Sequence, residues 1–126
     1  MITQLIPKNI DIVEKEIKEF IENKKFKIFN IIDQAAEAKE VGLTIKPTKL
    51  IIFGNPKVGT LLMQENDEIT FELPIKILLI GDDNTTKVIY RDPFDFSGSD
   101  IVAAGGHTIL QNMHNMYQEM IRNLLN

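Results

Sequence analysis

The chain has 126 residues, of which 44% are hydrophobic and 25% are charged, proportions typical of one soluble globular domain over residues 1–126. It contains no cysteine, which excludes disulfides, thiolate metal ligands and cysteine nucleophiles. The net charge of −4 argues against a general nucleic-acid-binding protein, because such proteins need clustered positive charge to replace counterions.

The first third of the chain predicts a strand, a helix and a second strand. Residues 2–6 are expected to form a short strand, and Asn9 and Asp11 are rival N-cap residues of a helix that extends to residue 23. Residues 26–32 are rich in β-branched and aromatic side chains, which favours a strand. The predicted buried face of the helix consists of Ile10, Val13, Ile17, Phe20 and Ile21.

A short helix and a third strand are predicted in the middle of the chain. Asp33 is well placed to cap a helix over residues 34–41, which Gly42 ends. Residues 48–53 are apolar and β-rich, and Gly54 supplies backbone freedom where this strand must stop.

The residues that follow Gly54 predict the start of another helix. Asn55 is a good N-cap, and Pro56 falls at the first helical position, where its missing N–H costs nothing. Gly59 weakens this helix by about 1 kcal/mol relative to alanine, so we expect it to permit a close backbone approach. The residues expected to face the core are Val58, Leu61 and Leu62.

The second half of the chain predicts further strands and a long final helix. Residues 69–73 are expected to form a strand that is stopped or bent at Pro74. Residues 75–80 and 87–90 are expected to pair as an antiparallel hairpin around a polar turn.

The last third predicts a glycine-containing loop over residues 94–106 and a helix over residues 108–124. The methionines on the apolar side of this helix favour an adaptable core rather than a cofactor site. The predicted buried stripe consists of Ile109, Met113, Met116, Tyr117, Met120 and Leu124.

Short motifs between residues 47 and 93 carry a family resemblance that covers almost the whole chain, from about residue 11 to the last helix. They are Pro47-Thr48, the run IIFGNP at residues 51–56, Gly59-Thr60, Leu62-Met63, Glu72-Leu73-Pro74, and Tyr90 with Asp92-Pro93. Together they resemble the domain of unknown function 302 family. Two positions depart from that pattern, since Gln34 stands where many relatives carry histidine and Glu72 where aspartate is common.

The resemblance implies a fold and no activity. The implied fold is α+β, with a curved, mainly antiparallel sheet and helices packed on one face, similar to the TATA-box-binding-protein-like fold. The separate elements read from the sequence agree with this class.

Two groups of residues are candidates for a site. Glu72, Tyr90 and Asp92 border apolar strands, so they are candidates for proton transfer, or they satisfy turn backbone groups and one another. If their strands are regular, Tyr90 and Asp92 share a sheet face and Glu72 opposes them near the Asn55 turn. The candidate ligand-binding residues are Asn55, Lys57, Gly59 and Thr60, at a helix N-terminus that suits an anion or serves only as a structural turn.

The histidines do not predict a metal site. His107 and His114 are seven residues apart, whereas three or four would suit a shared metal ion on a helix. We therefore predict neither a metal nor a cofactor.

Apolar runs at residues 50–53 and 77–80 do not alternate with polar residues, so both sheet faces are expected to be covered. One chain has little material for two faces, which favours a homodimer, an apolar ligand or a covering loop at residues 94–106. We expect a homodimeric, non-enzymatic binding domain with a possible small-molecule ligand, and the alternative is a small enzyme using Glu72, Tyr90 and Asp92. No secretory signal or apolar run of roughly 20 residues is visible, which predicts a cytoplasmic protein without a membrane partner.

Overall fold

Five antiparallel strands form one sheet in the order β1-β5-β4-β3-β2 in the computed structural model. The structure describes residues 1–126, except for the side chain of Ile101. The strands are β1 (Ile2–Ile6), β2 (Lys27–Asp33), β3 (Thr48–Gly54), β4 (Ile75–Asp82) and β5 (Thr85–Tyr90). The predicted α+β class, the first strand and the hairpin of β4 and β5 are confirmed.

The first three α-helices begin at caps that the sequence predicts. Their bounds are α1 (Ile10–Asn23), α2 (Gln34–Glu40), α3 (Pro56–Glu65) and α4 (Ala104–Leu125). Oδ1 of Asn9 accepts a hydrogen bond from the backbone N–H of Ile12, so Asn9 rather than Asp11 caps α1. Asp33 caps α2 in the same way, and Gly42 follows that helix with a left-handed φ of 78°.

The inner face of the sheet carries the core. Successive side chains of a strand point to opposite faces, and Ile51, Ile77, Leu79 and Val88 are fully buried on the inner one. The predicted apolar stripe of α1 is buried against them, as are Leu110, Met116, Met120 and Leu124 of α4. The hydroxyl of Tyr117 on α4 donates a 2.8 Å hydrogen bond to the carbonyl of Lys76, which ties this helix to β4.

The outer face of the sheet carries an apolar row that is only partly covered. Leu78 on β4 lies directly between Leu50 on β3 and Ile89 on β5, and all three side chains are half-buried. Leu5 on the edge strand β1 is 58% exposed. The apolar runs therefore divide between a buried face and an open one.

Residues 69–73 do not form the predicted strand. They belong to a 3₁₀ helix, Asp67–Glu72, in which Ile69 is buried and Phe71 is 85% exposed. Oδ1 of Asn66 accepts from the N–H of Glu68, so an N-cap starts a helical turn where apolar alternation had indicated a strand.

The final helix begins earlier than predicted, at Ala104 instead of residue 108. The carboxylate of Glu65 accepts from the backbone N–H of Ala103 and so satisfies the start of α4 from another helix. A Cβ at Gly106 would collide with this carboxylate and lie 2.9 Å from Cβ of Val102. Gly106 is thus a site of close approach inside a helix rather than a sign of a loop. The segment before it contains two 3₁₀ helices, Pro93–Asp95 and Ser99–Ile101.

Predictions about α3 are partly wrong. Leu62 is fully buried as expected, but Leu61 is 43% exposed and Val58 is half-buried. Gly59 makes no close backbone approach, because a Cβ there would meet only Cδ1 of Leu73 at 3.8 Å, an ordinary contact. One side of α3 therefore lines a cleft instead of packing in the core.

Candidate ligand-binding cleft

A cleft of about 440 Å³ opens between α3 and α4, where β3 ends and β4 begins. Its volume lies in the range of small-molecule sites, about 300–1,000 Å³. Its lining residues are Phe26, Phe29, Gly54, Asn55, Pro56, Val58, Gly59, Thr60, Met63, Leu73, Pro74, Ile75, Ile109, Asn112, Met113 and Met116.

Local structure explains how distant parts of the chain reach this cleft. The pairing of β2 with β3 is irregular between Ile28 and Asn30, so Phe29 leaves the regular alternation and its ring lines the cleft. On α4, Ile109, Met113 and Met116 recur at helical spacing and supply the opposite wall.

The polar groups of the cleft are already used in part by the start of α3. Oδ1 of Asn55 accepts from the backbone N–H groups of Lys57 and Val58 at 3.1 and 3.4 Å. The hydroxyl of Thr60 donates to the carbonyl of Pro56 at 2.7 Å. The N–H groups that an anion would need at this helix N-terminus therefore bond to Asn55 itself, which removes the basis for an anion site.

The predicted ligand-binding residues separate into two groups. Asn55, Gly59 and Thr60 all line the cleft, whereas the exposed Lys57 is not among its lining residues. A helix turn carries successive side chains to different sides, so Lys57 projects away while its neighbours on either side reach the cleft.

Glu72 and Tyr90 lie at a second cleft, of about 230 Å³. An ion pair joins Oε2 of Glu72 to Nε of Arg91 at 3.3 Å. The ring of Tyr90 stacks on that of Tyr117 with centroids 4.2 Å apart. Burial and the nearby Asp92 carboxylate both raise the pKa of Tyr90 above its ordinary value, so this phenol is protonated at neutral pH.

Asp92 has different partners. Its Oδ2 lies 2.8 Å from Nδ1 of His114 on α4, and its Oδ1 accepts from the N–H of Phe94. Asp92 follows the end of β5 and caps a 3₁₀ helix, so it does not share a strand face with Tyr90. Glu72 likewise lies in a 3₁₀ helix instead of an opposing strand. Their polar contacts thus connect Glu72 to Arg91 and Asp92 to His114, and a catalytic role for them stays a prediction.

The histidines flank an aromatic ring. The rings of His107 and His114 lie 5.3 and 5.8 Å from the ring of Phe94, centroid to centroid. Among the described side chains, no group of three or more histidines and carboxylates is close enough to hold a metal ion.

Sequence reasoning missed the α4 wall and the β2 contribution to the cleft. Ile109 and Met113 were predicted as core, but both are only half-buried and face the cleft. The methionines of this α4 stripe are typical of an adaptable binding surface as well as of a core. Phe29 gave no such signal, because a bulge is a property of the pairing between two strands.

In the part of the chain that the structure describes, no helix combines the length and the apolar character that crossing a membrane requires. A segment of the chain is nevertheless similar to part of a known ion channel. It is 53% identical over 51 residues to "Fluoride-specific ion channel FluC 1" of Brucella suis and equally to "Fluoride-specific ion channel FluC 2" of Brucella melitensis. The match covers 40% of this chain and only about a fifth of the length of those channels, 20% and 19%.

The whole fold is similar to a solved structure. The crystal structure of an uncharacterized conserved protein DUF302 from Bacillus stearothermophilus superposes with a TM-score of 0.83 over 98% of this chain and 96% of that one, at 16% identity. At this identity the likeness shows the fold alone. The sequence profile described as "Domain of unknown function DUF302" matches residues 2–124, and the chain therefore belongs to the DUF302 family.

Proposed function

We propose that this domain is a non-enzymatic binding domain that takes a small, largely apolar molecule in the cleft between α3 and α4. The observation that carries the proposal is the combination of a volume of about 440 Å³ with a mainly apolar lining and a few polar groups. Small-molecule sites have this composition, because apolar area supplies affinity and a few polar atoms fix orientation.

The exposure of the lining supports the same proposal. Ile109, Met113, Met63 and Val58 are half-buried at the cleft, while neighbouring residues of both helices are fully buried in the core. Removing such apolar surface from water is favourable by roughly 25 cal/mol per Å², so an apolar ligand that fills the cleft gains free energy.

Gly59 supports the proposal independently. A glycine inside a helix costs about 1 kcal/mol relative to alanine, and no close approach requires one here. The position lines the cleft, so a side chain there would occupy space that a ligand needs.

The test uses N-phenyl-1-naphthylamine, a neutral fluorescent probe of apolar sites. The wild-type protein should enhance its fluorescence saturably, and Gly59→Leu should weaken binding at least about tenfold by filling the cleft. Gly105→Leu is the matched control, since Gly105 is also helical, has open space around it and lies outside the cleft lining. Equal binding by both variants would overturn the proposal, and urea unfolding checks that both are folded.

We also propose that the domain forms a homodimer through the outer face of its sheet. Ile32, Leu50, Leu78 and Ile89 are paired in register across four strands and form a half-buried apolar row. A two-fold arrangement would pack two such rows on one another, with Lys76 and Lys87 on the same face two positions from Leu78 and Ile89 along their strands.

Part of the predicted covering loop reaches this face, because Phe96 lines the second cleft together with Leu50, Leu78 and Ile89. The rest of the loop bonds to residues 65–68. The carbonyl of Gly98 accepts from Nδ2 of Asn66, the hydroxyl of Ser97 donates to Oε1 of Glu68, and the N–H of Ala103 donates to Oε1 of Glu65.

Sedimentation equilibrium at micromolar concentration tests the homodimer. The wild type should have twice the chain mass of 14.4 kDa. Leu78→Lys should yield the monomer mass, because it places a charge in the apolar row. Ile12→Lys, on the solvent side of α1, should leave the dimer intact. A monomeric wild type would eliminate this assembly and leave the proposed ligand site untouched.

The enzyme alternative has less support, because the polar contacts of Glu72 and Asp92 lead to different partners. Fluoride, which the Brucella relatives are named for, does not suit the cleft. Its described lining residues carry no positive side chain, and a small hard anion is strongly disfavoured among apolar groups.

A further inference from the structure

We infer that the ligand of the cleft is an uncharged molecule with an aromatic or alkyl body and a hydrogen-bond acceptor, such as a carbonyl oxygen, that the amide nitrogen of Asn55 recognises. This inference rests on the proposed function and adds the chemical class of the ligand and the residue that selects it.

The absence of charge in the ligand follows from the lining. The described residues of the cleft include no aspartate, glutamate, lysine, arginine or histidine. An ionised group moved from water into such surroundings loses its hydration without gaining an opposite charge, which is strongly unfavourable. Lys27 and Lys57 adjoin lining residues along the chain, and both are exposed and outside the lining. Nζ of Lys27 lies 5.0 Å from the centroid of the Phe29 ring.

The acceptor on the ligand follows from the hydrogen bonds of Asn55. Its Oδ1 already accepts from the N–H groups of Lys57 and Val58, which fixes the orientation of the amide. A side-chain amide has two N–H donors on its nitrogen, so Nδ2 is the polar atom that Asn55 has to offer a ligand. A donor of this kind selects a carbonyl or ether oxygen.

The body of the ligand follows from the side chains on the walls. The lining includes two phenylalanines, Phe26 and Phe29, and two methionines of α4, Met113 and Met116. Thioethers are polarisable and adapt their shape, and they make favourable contacts with aromatic rings. The cleft therefore suits a flat or flexible apolar body more than a sugar-like polar one.

The closing experiment separates the cap role of Asn55 from its role toward the ligand. Asn55→Asp retains an N-cap oxygen but replaces the donor nitrogen with a second oxygen. Three naphthalenes of similar shape serve as competitors of N-phenyl-1-naphthylamine: 2-acetonaphthone with an acceptor, 2-ethylnaphthalene without one, and anionic 2-naphthoate.

We expect 2-naphthoate to bind the wild type at least about tenfold more weakly than 2-acetonaphthone. Asn55→Asp should weaken 2-acetonaphthone roughly twofold to tenfold and leave 2-ethylnaphthalene unchanged, with an unaltered urea midpoint. The inference is overturned if 2-naphthoate binds as well as the ketone, or if the variant weakens the ketone and the hydrocarbon alike. Binding of the naphthylamine that Gly59→Leu does not weaken would instead overturn the proposed cleft itself.

Discussion

The two faces of the sheet are built from the same kinds of residue and have different surroundings. Ile51 and Ile77 on the inner face are fully buried beneath α1 and α4, while Leu50 and Leu78, their direct neighbours along the strands, are half-buried on the outer face. Hydrophobic stabilisation grows with the apolar area removed from water. The inner face thus holds the fold together, and the outer face leaves part of its apolar surface in water.

The largest expected effect compares one residue from each face. Ile77→Ala should lower the free energy of unfolding by about 2–5 kcal/mol, because it leaves a cavity in a close-packed core. Leu78→Ala should cost the monomer at most about 1 kcal/mol, since its side chain is already partly in water. Urea unfolding at low protein concentration measures both, and equal losses would contradict the division between the faces.

The next effect concerns the attachment of α4 to the inner face. Tyr117→Phe removes the hydrogen bond to the carbonyl of Lys76 and should cost about 1 kcal/mol at neutral pH. The same hydroxyl makes stability sensitive to alkali. Burial raises the pKa of Tyr117 far above its ordinary value, so above about pH 10 the unfolded chain loses a proton that the folded protein keeps.

The free energy of unfolding therefore falls as pH rises. The stabilisation from Tyr117 is fully present below about pH 10 and declines above it by about 1.4 kcal/mol per pH unit. Tyr117→Phe should flatten the decline between pH 10 and 11 by about that amount. Two other groups also lose their contribution to stability in alkali, and both are present in wild type and variant. They are Lys49, whose pKa is raised by its hydrogen bond to Glu14, and Tyr90, whose pKa is raised by burial. Parallel stability curves for wild type and variant would show that Tyr117 ionises freely.

An effect of similar size at neutral pH, without the added loss in alkali, is expected at the cap of α3. Asn55→Ala should cost about 1 kcal/mol, because two backbone N–H groups lose their acceptor. Asn55→Asp should cost much less, since it keeps the acceptor. If thermal or urea unfolding resolves no loss of stability in Asn55→Ala, water must bond to the two N–H groups in place of Asn55.

The smallest effect is a gain. Gly59→Ala should stabilise the protein by up to about 1 kcal/mol, because the new methyl group meets only Leu73 at 3.8 Å and improves helix propensity. The result sharpens the contrast with the close-packed inner face, where added atoms destabilise. A destabilised Gly59→Ala protein would mean that the walls of the cleft close on this position in solution.

Local patterns predicted much of the fold. The stripe of α1 and the caps Asn9, Asp33 and Asn55 were readable, since each depends on residues within three or four positions. The 3₁₀ helix Asp67–Glu72 was missed, because its short apolar alternation fits a strand equally well. The start of α4 was missed because Glu65, its partner, is 38 residues from Ala103 along the chain.

The sequence by itself determined the five strands, the caps of α1, α2 and α3, and three residues of the cleft, Asn55, Gly59 and Thr60. Each of these depends on a strand, a turn or a helix start, which are local choices of the backbone. Only the tertiary structure decided that α4 forms the second wall and that Asp92 pairs with His114, 22 residues away. It also decided which face of each strand is buried. Alternation along a strand creates two apolar faces, and only the place where the helices pack determines which of them leaves water.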